Sequence, residues 1–93
     1  MLEVIQNNGE KHGEFVALFD GKQAGLMTYT WAGTDKFIID HTEVEPAYNG
    51  KGVGKEMVYQ AVEFARENNL RIIPLCPFAK ATFQKNEEIR DVL

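Results

Sequence analysis

Two halves of different hydrophobic period predict an α+β fold for this 93-residue chain, with a mainly antiparallel sheet of about five strands and two main helices. The first half is made of short runs rich in β-branched and aromatic residues, separated at regular intervals by Asn, Asp and Gly. The second half places apolar residues at helical spacing, interrupted by one short apolar run. A single domain, 1–93, is expected because compact domains usually take roughly 100 residues. A hydrophobic content of 44%, with six Phe, three Tyr and one Trp, gives that domain enough side chains for a core.

Leu2–Ile5 is the first expected strand, and Asn7-Asn8-Gly9 after it tolerates the positive φ of a turn. Glu14–Phe19 follows and stops at Asp20-Gly21, a pair favoured in tight hairpins. Gln23–Trp31 is the third strand, Gly33-Thr34-Asp35 reverses the chain, and Lys36–Val44 is the fourth. Strands joined by such short turns run antiparallel. From Val53 onward Met57, Ala61, Phe64 and Ala65 recur at helical spacing, with Val58 and Val62 widening the stripe, and the helix ends near Asn68-Asn69. Leu70–Leu75 reads as a short buried strand. Phe78–Lys85 reads as a second helix opened by Pro77, where a missing N–H costs nothing, and Glu87–Leu93 adds a further helical turn or two. Strand, helix, strand implies a right-handed crossover, so the fourth and fifth strands are expected to lie parallel at one end of the sheet. Phe15, Phe37, Phe64, Phe78 and Phe83 follow the apolar periodicity and are assigned to the core, while Tyr29 and Trp31 suit either core or ligand.

Ten Lys and Arg against fourteen Asp and Glu give a net charge of -4, which opposes general attraction to nucleic acid or to anionic membranes. The N-terminal residues lack the basic start and apolar run of a signal peptide, and no apolar stretch is long enough to span a bilayer. One cysteine makes neither an intramolecular disulfide nor a Cys-rich zinc site, so a cytoplasmic location is expected. His41 and Glu43 share a strand face but have no third ligand nearby, so no metal is expected.

The segment with most chemical content is Asn49-Gly50-Lys51-Gly52-Val53-Gly54-Lys55, between an expected strand and an expected helix. Glycine allows positive φ and close approach of bare backbone to a ligand, and the first N–H groups of a helix lack intrahelical acceptors. Such an end suits phosphate, with Lys51 and Lys55 at hand to add charge. Two familiar phosphate motifs fail on spacing. A Walker loop needs Gly-Lys-Ser/Thr, and here Gly54-Lys55 is followed by Glu56. The dinucleotide fingerprint Gly-x-Gly-x-x-Gly is not met from either Gly50 or Gly52.

Asn49-Gly50-Lys51-Gly52-Val53-Gly54 resembles the pyrophosphate loop of the GNAT superfamily of acyl-CoA N-acyltransferases, with Asn in place of the leading Gln/Arg. His41-Thr42-Glu43-Val44 before the loop and Pro74-Leu75-Cys76-Pro77 after the helix are similar to a very short subgroup of that family. The resemblance implies acetyl-CoA as cosubstrate and transfer of acetyl to an amine. It implies that Thr42, Glu43 and Val44 meet pantetheine through backbone groups, while Asn49, Gly50, Lys51, Gly52, Val53, Gly54 and Lys55 surround pyrophosphate. An extended ligand can satisfy strand N–H and C=O groups that a splayed pair leaves open.

Two catalytic candidates follow. Cys76 stands at a strand end just before a helix start, where a thiolate is favoured, and the resemblance places it near the thioester, either as an acyl-accepting nucleophile or as channel lining. Glu43 can take a proton from the amine directly or through water, or serve only as a surface carboxylate. The tyrosine that protonates the leaving thiolate in the wider family has no counterpart in Ala79–Lys85, and Thr82 is a weak substitute. Only Asn7–Gly13 joins the first two strands, where ordinary members carry helices that wall the acceptor site. An open site of this kind suits an amine on a protein or peptide. The alternative expectation is an acyl-CoA-binding sensor or carrier with little turnover.

Overall fold

The computed structural model describes all residues, 1–93, as β1 (Leu2–Asn8), β2 (His12–Phe19), β3 (Lys22–Trp31), β4 (Lys36–Val44), α1 (Val53–Glu67), β5 (Arg71–Pro74) and α2 (Pro77–Lys85). Short 3-10 segments at Pro46–Tyr48 and Glu87–Val92 complete it. The strands lie in chain order in one sheet, antiparallel from β1 to β4 and parallel between β4 and β5. The expected α+β fold is the one observed.

β1 extends beyond its apolar run because its polar residues have partners. Gln6, Asn7 and Asn8 pair with Phe15, Glu14 and Gly13. Gln6 Nε2 donates to the Tyr29 hydroxyl at 2.8 Å, and that hydroxyl donates to Asn8 Oδ1 at 2.7 Å. Trp31 Nε1 reaches Asn8 Oδ1 and Gly9 O at 3.1 and 3.0 Å. Burial pushes the Tyr29 phenol above its ordinary pKa, so it stays a neutral donor. Tyr29 and Trp31 therefore belong to the core, packed with Phe37 and Phe64 at ring separations of 5.0 to 6.4 Å.

α1 buries the stripe Val53, Met57, Val58, Ala61, Val62 and Ala65 against the sheet, each larger apolar side chain contributing about 1.5–3 kcal/mol. Its end is closed by Leu70 N–H donating to Ala65 O, with Asn69 at φ 55°, so Leu70 belongs to the helix terminus and β5 starts at Arg71. α2 and the C-terminal segment pack beside α1, and the opposite face of the sheet carries no helix. Phe15, Phe37 and Phe83 are buried as expected, but Phe78 is 41% exposed. Phe78 is the second residue of α2, where the helix has left the sheet and one side of the ring has nothing to pack against.

Candidate functional site

β4 and β5 pair only from Lys36↔Arg71 to Ile39↔Pro74 and then separate. Pro74 has no N–H to continue a ladder, and the next two amides, of Leu75 and Cys76, both turn back to Ile39 O at 3.1 and 3.3 Å. On β4 the register against β3 shifts at the same place, from Tyr29↔Ile39 to Thr28↔His41, leaving Asp40 as an extra residue. Such a bulge bends and twists its strand, here away from β5. Pro77 then starts α2, and Cys76 is held between the two prolines as its N-cap.

Beyond the bulge, Glu45 N–H donates to Ala24 O across β3. Alternation therefore directs the backbone of His41 and Glu43 to β3 and leaves the N–H and C=O of Thr42 and Val44 facing the opening. The side chains alternate as well. Thr42 and Val44 lie on the helix-covered face, and His41 and Glu43 lie exposed on the other, joined by a 2.9 Å contact between His41 Nε2 and Glu43 Oε1.

Cys76 is buried, and its Sγ accepts from Ala79 N–H at 3.3 Å and lies 3.2 Å from Thr42 Oγ1. Sequence alone gave Thr42 a backbone role only. Its side-chain contact follows from parallel register, which sets the residues after Ile39 against those after Pro74. The Thr82 hydroxyl is committed elsewhere, donating to Phe78 O at 2.9 Å in the manner of a helical threonine. It is spent as an acid, which removes the weak substitute that the sequence offered for the absent tyrosine.

The glycine segment closes the other end of the opening. Asn49 and Lys51 amides donate to Pro46 O and Tyr48 O, and the Glu56 amide makes the first bond of α1, to Gly52 O. The amides of Gly50, Gly52, Val53, Gly54 and Lys55 have no such acceptor. Gly50 and Gly52 take φ of +79° and +76°, and a Cβ on either would meet open space. Gly54 is glycine for a different reason. Its φ is not positive, but a Cβ there would come within 2.5 Å of the Phe78 ring. Lys51 has its ammonium 5.7 Å from the centre of the Phe19 ring, and Lys55 lies 5.4 Å from that of Tyr59. A cavity of about 260 Å³ joins Val44, the glycine turn, Lys55 and Phe78. The largest cavity, about 620 Å³, is elsewhere, beside the β1–β2 turn, with His12, Glu14, Thr30 and Asp40 in its lining.

The sheet is thus opened at a parallel strand pair, with unpaired strand backbone on one side and a turn of unpaired amides at its mouth. The family model described as GCN5-related N-acetyl-transferase matches residues 14–92, and the chain belongs to that family. The solution structure of a candidate GCN5-like N-acetyltransferase from Staphylococcus aureus is 37% identical, with a TM-score of 0.73 over 98% of this chain and 86% of that one. Protein NATD1 of Bos taurus is 30% identical over 61 residues, which are 66% of this chain and 54% of that protein. This chain thus spans about half the length of that relative. A candidate streptothricin acetyltransferase of Bacillus anthracis, solved with acetyl coenzyme A, shares the fold at 23% identity and a TM-score of 0.64, over 84% of this chain and 47% of that one.

Proposed function

We propose that this chain binds acetyl-CoA in the opening between β4 and α2 and transfers the acetyl group to an amine on a protein or peptide by way of Cys76. The observation that carries the reading is the Cys76 sulfur at the vertex of the opening, between Thr42 Oγ1 and the Ala79 N–H. Pantetheine adds to β4 through the open backbone groups of Thr42 and Val44, in the manner of a strand. The amides of Gly50, Gly52, Val53, Gly54 and Lys55 and the nearby Lys51 ammonium receive pyrophosphate.

Cys76 Sγ attacks the thioester carbonyl, the bond to the CoA sulfur breaks, and the cysteine proton leaves on CoA. This exchange of one thioester for another needs no strong acid, which fits a site without a tyrosine donor. The amine then attacks the acetyl group on Cys76 from the uncovered face of the sheet. Glu43, paired with His41 on that face and across β4 from Cys76, takes the amine's proton through water, and the Cys76 thiol is restored by a proton delivered through water.

Mass spectrometry after incubation with acetyl-CoA tests the route. The protein is expected to gain one acetyl group that neutral hydroxylamine removes, and Cys76→Ser is expected to lack that labile adduct. Full transfer by Cys76→Ala would refute the cysteine route. Acetyl-CoA binding with neither adduct nor transfer to any peptide would leave an acyl-CoA-binding module in its place.

A further inference from the structure

The largest cavity of the molecule, about 620 Å³, lies beside the β1–β2 turn, and the reaction proposed above does not use it. Phe15 and Met27 are buried on the helix-covered face, so alternation turns Glu14 and Thr28 to the uncovered one. Register sets Asn7, Glu14, Thr28 and His41 in one row across four strands, and His41 is the residue that holds Glu43. The cavity therefore adjoins the place where the acceptor amine loses its proton.

Hydrogen-bond acceptors are in excess there. Asn7 Nδ2 donates to Glu14 Oε2 at 3.0 Å, and the Thr30 hydroxyl donates to Asp40 Oδ2 at 2.6 Å. Thr30 thereby gives up its only proton, so His12 Nδ1, 3.2 Å from Thr30 Oγ1, is the donor in that contact, and Nε2 of the neutral ring is an acceptor. The second oxygens of Glu14 and Asp40 and the His12 Nε2 are left without a donor. Neither carboxylate enters an ion pair, and no Lys or Arg lines the cavity. A ligand that satisfies this lining brings N–H donors and positive charge. Two strand spacings, about 10 Å, separate Glu14 from His41, a span that two residues of extended peptide, about 7 Å, and a long side chain cover together. We infer that the cavity takes a second, basic side chain of the acceptor peptide, two residues from the acetylated lysine, with its cation between Glu14 and Asp40. The inference rests on the acetyl-transfer reading above and adds a selection to it: the chain prefers lysines with a cationic neighbour.

Steady-state transfer from acetyl-CoA at low salt tests this with two peptides, in which a single lysine is flanked two residues away on both sides by arginine or by citrulline, its uncharged isostere. Wild type is expected to favour the arginine peptide at least about fivefold in kcat/KM. Glu14→Gln and Asp40→Asn, which keep acceptors for Asn7 and Thr30, are each expected to cut that preference to about twofold while holding the citrulline peptide within about twofold of wild type. Glu67→Gln makes the same charge change on α1, at an exposed position outside the cavity, and is expected to keep the preference. Equal kcat/KM for the two peptides with wild type, or a preference lowered as much by Glu67→Gln as by Glu14→Gln, overturns the assignment of the cavity while leaving the acetyl-transfer reading in place. Failure of wild type to acetylate either peptide overturns both.

Discussion

Glu43 and Cys76 lie on opposite faces of β4, and that separation divides the proposed chemistry into two halves that mutation can tell apart. Glu43→Gln keeps the shape and the contact to His41 but cannot accept a proton. Its kcat/KM for the amine is expected to fall about 10²–10⁴-fold at neutral pH, while acetylation of Cys76 by acetyl-CoA keeps its rate. Stopped-flow release of CoA and steady-state transfer measure the two halves, and a parallel loss in both would show that Glu43 only shapes the strand. At this scale the sequence was legible where a residue type has one use. The positive φ of Gly50 and Gly52 is such a case, because glycine adopts that backbone with no steric cost. Gly54 read as a third member of the same cradle, yet its missing Cβ makes room for the Phe78 ring. That contact joins two helices and leaves no local signal. The same holds for the Thr42 hydroxyl beside Cys76, which depends on the register between β4 and β5.

Elements were legible where periodicity or turn chemistry marks them, as in the β2–β3 turn at Asp20-Gly21 and the buried stripe of α1. The bulge at Asp40 was not, because a bulge is a property of pairing between two strands. Nor did the charged C-terminus show which element it holds. Arg66 of α1 grips both carboxylate oxygens of Asp91, at 2.7 and 3.1 Å, and donates to Glu88 O at 2.8 Å, so the last 3-10 segment is fastened to the helix that opens at the glycine turn. The Arg66 guanidinium holds the Asp91 carboxyl below the ordinary aspartate value and is itself raised by it. A carboxyl lowered on folding stabilises the fold above its unfolded pKa of about 3.9 and loses that contribution as pH falls through the folded value. Asp91→Asn is therefore expected to lower Tm modestly at pH 7, with the difference from wild type closing as pH falls below about 4. Thermal melts across that range check this, and a difference independent of pH would mean that Asp91 acts through packing alone.

The whole molecule places all of its helices on one face of the sheet and leaves the other to solvent, and this asymmetry is what the proposed peptide acceptor is argued from. On the open face the register aligns Ile5, Val16, Leu26 and Glu43 across four strands. Ile5 is 41% exposed and Val16 and Leu26 are half-buried, so an apolar strip runs up to the carboxylate proposed to receive the proton. With only a short turn between β1 and β2, no helix covers the strip beside Glu43. A free alkylamine would touch little beyond Glu43 and His41, whereas an amine on a peptide can lay its neighbouring side chains along the strip, at about 25 cal/mol for each Å² of apolar surface covered. An apolar contact of about 60 Å² then gives about 1.5 kcal/mol, or roughly tenfold in kcat/KM. A lysine peptide with an apolar neighbour is accordingly expected to exceed butylamine by at least about tenfold, and Leu26→Ser is expected to narrow that gap while leaving CoA affinity and the Cys76 adduct unchanged. Comparable kcat/KM for the two acceptors, or a Leu26→Ser loss equal for both, would place recognition away from the open face and return the acceptor to a small molecule.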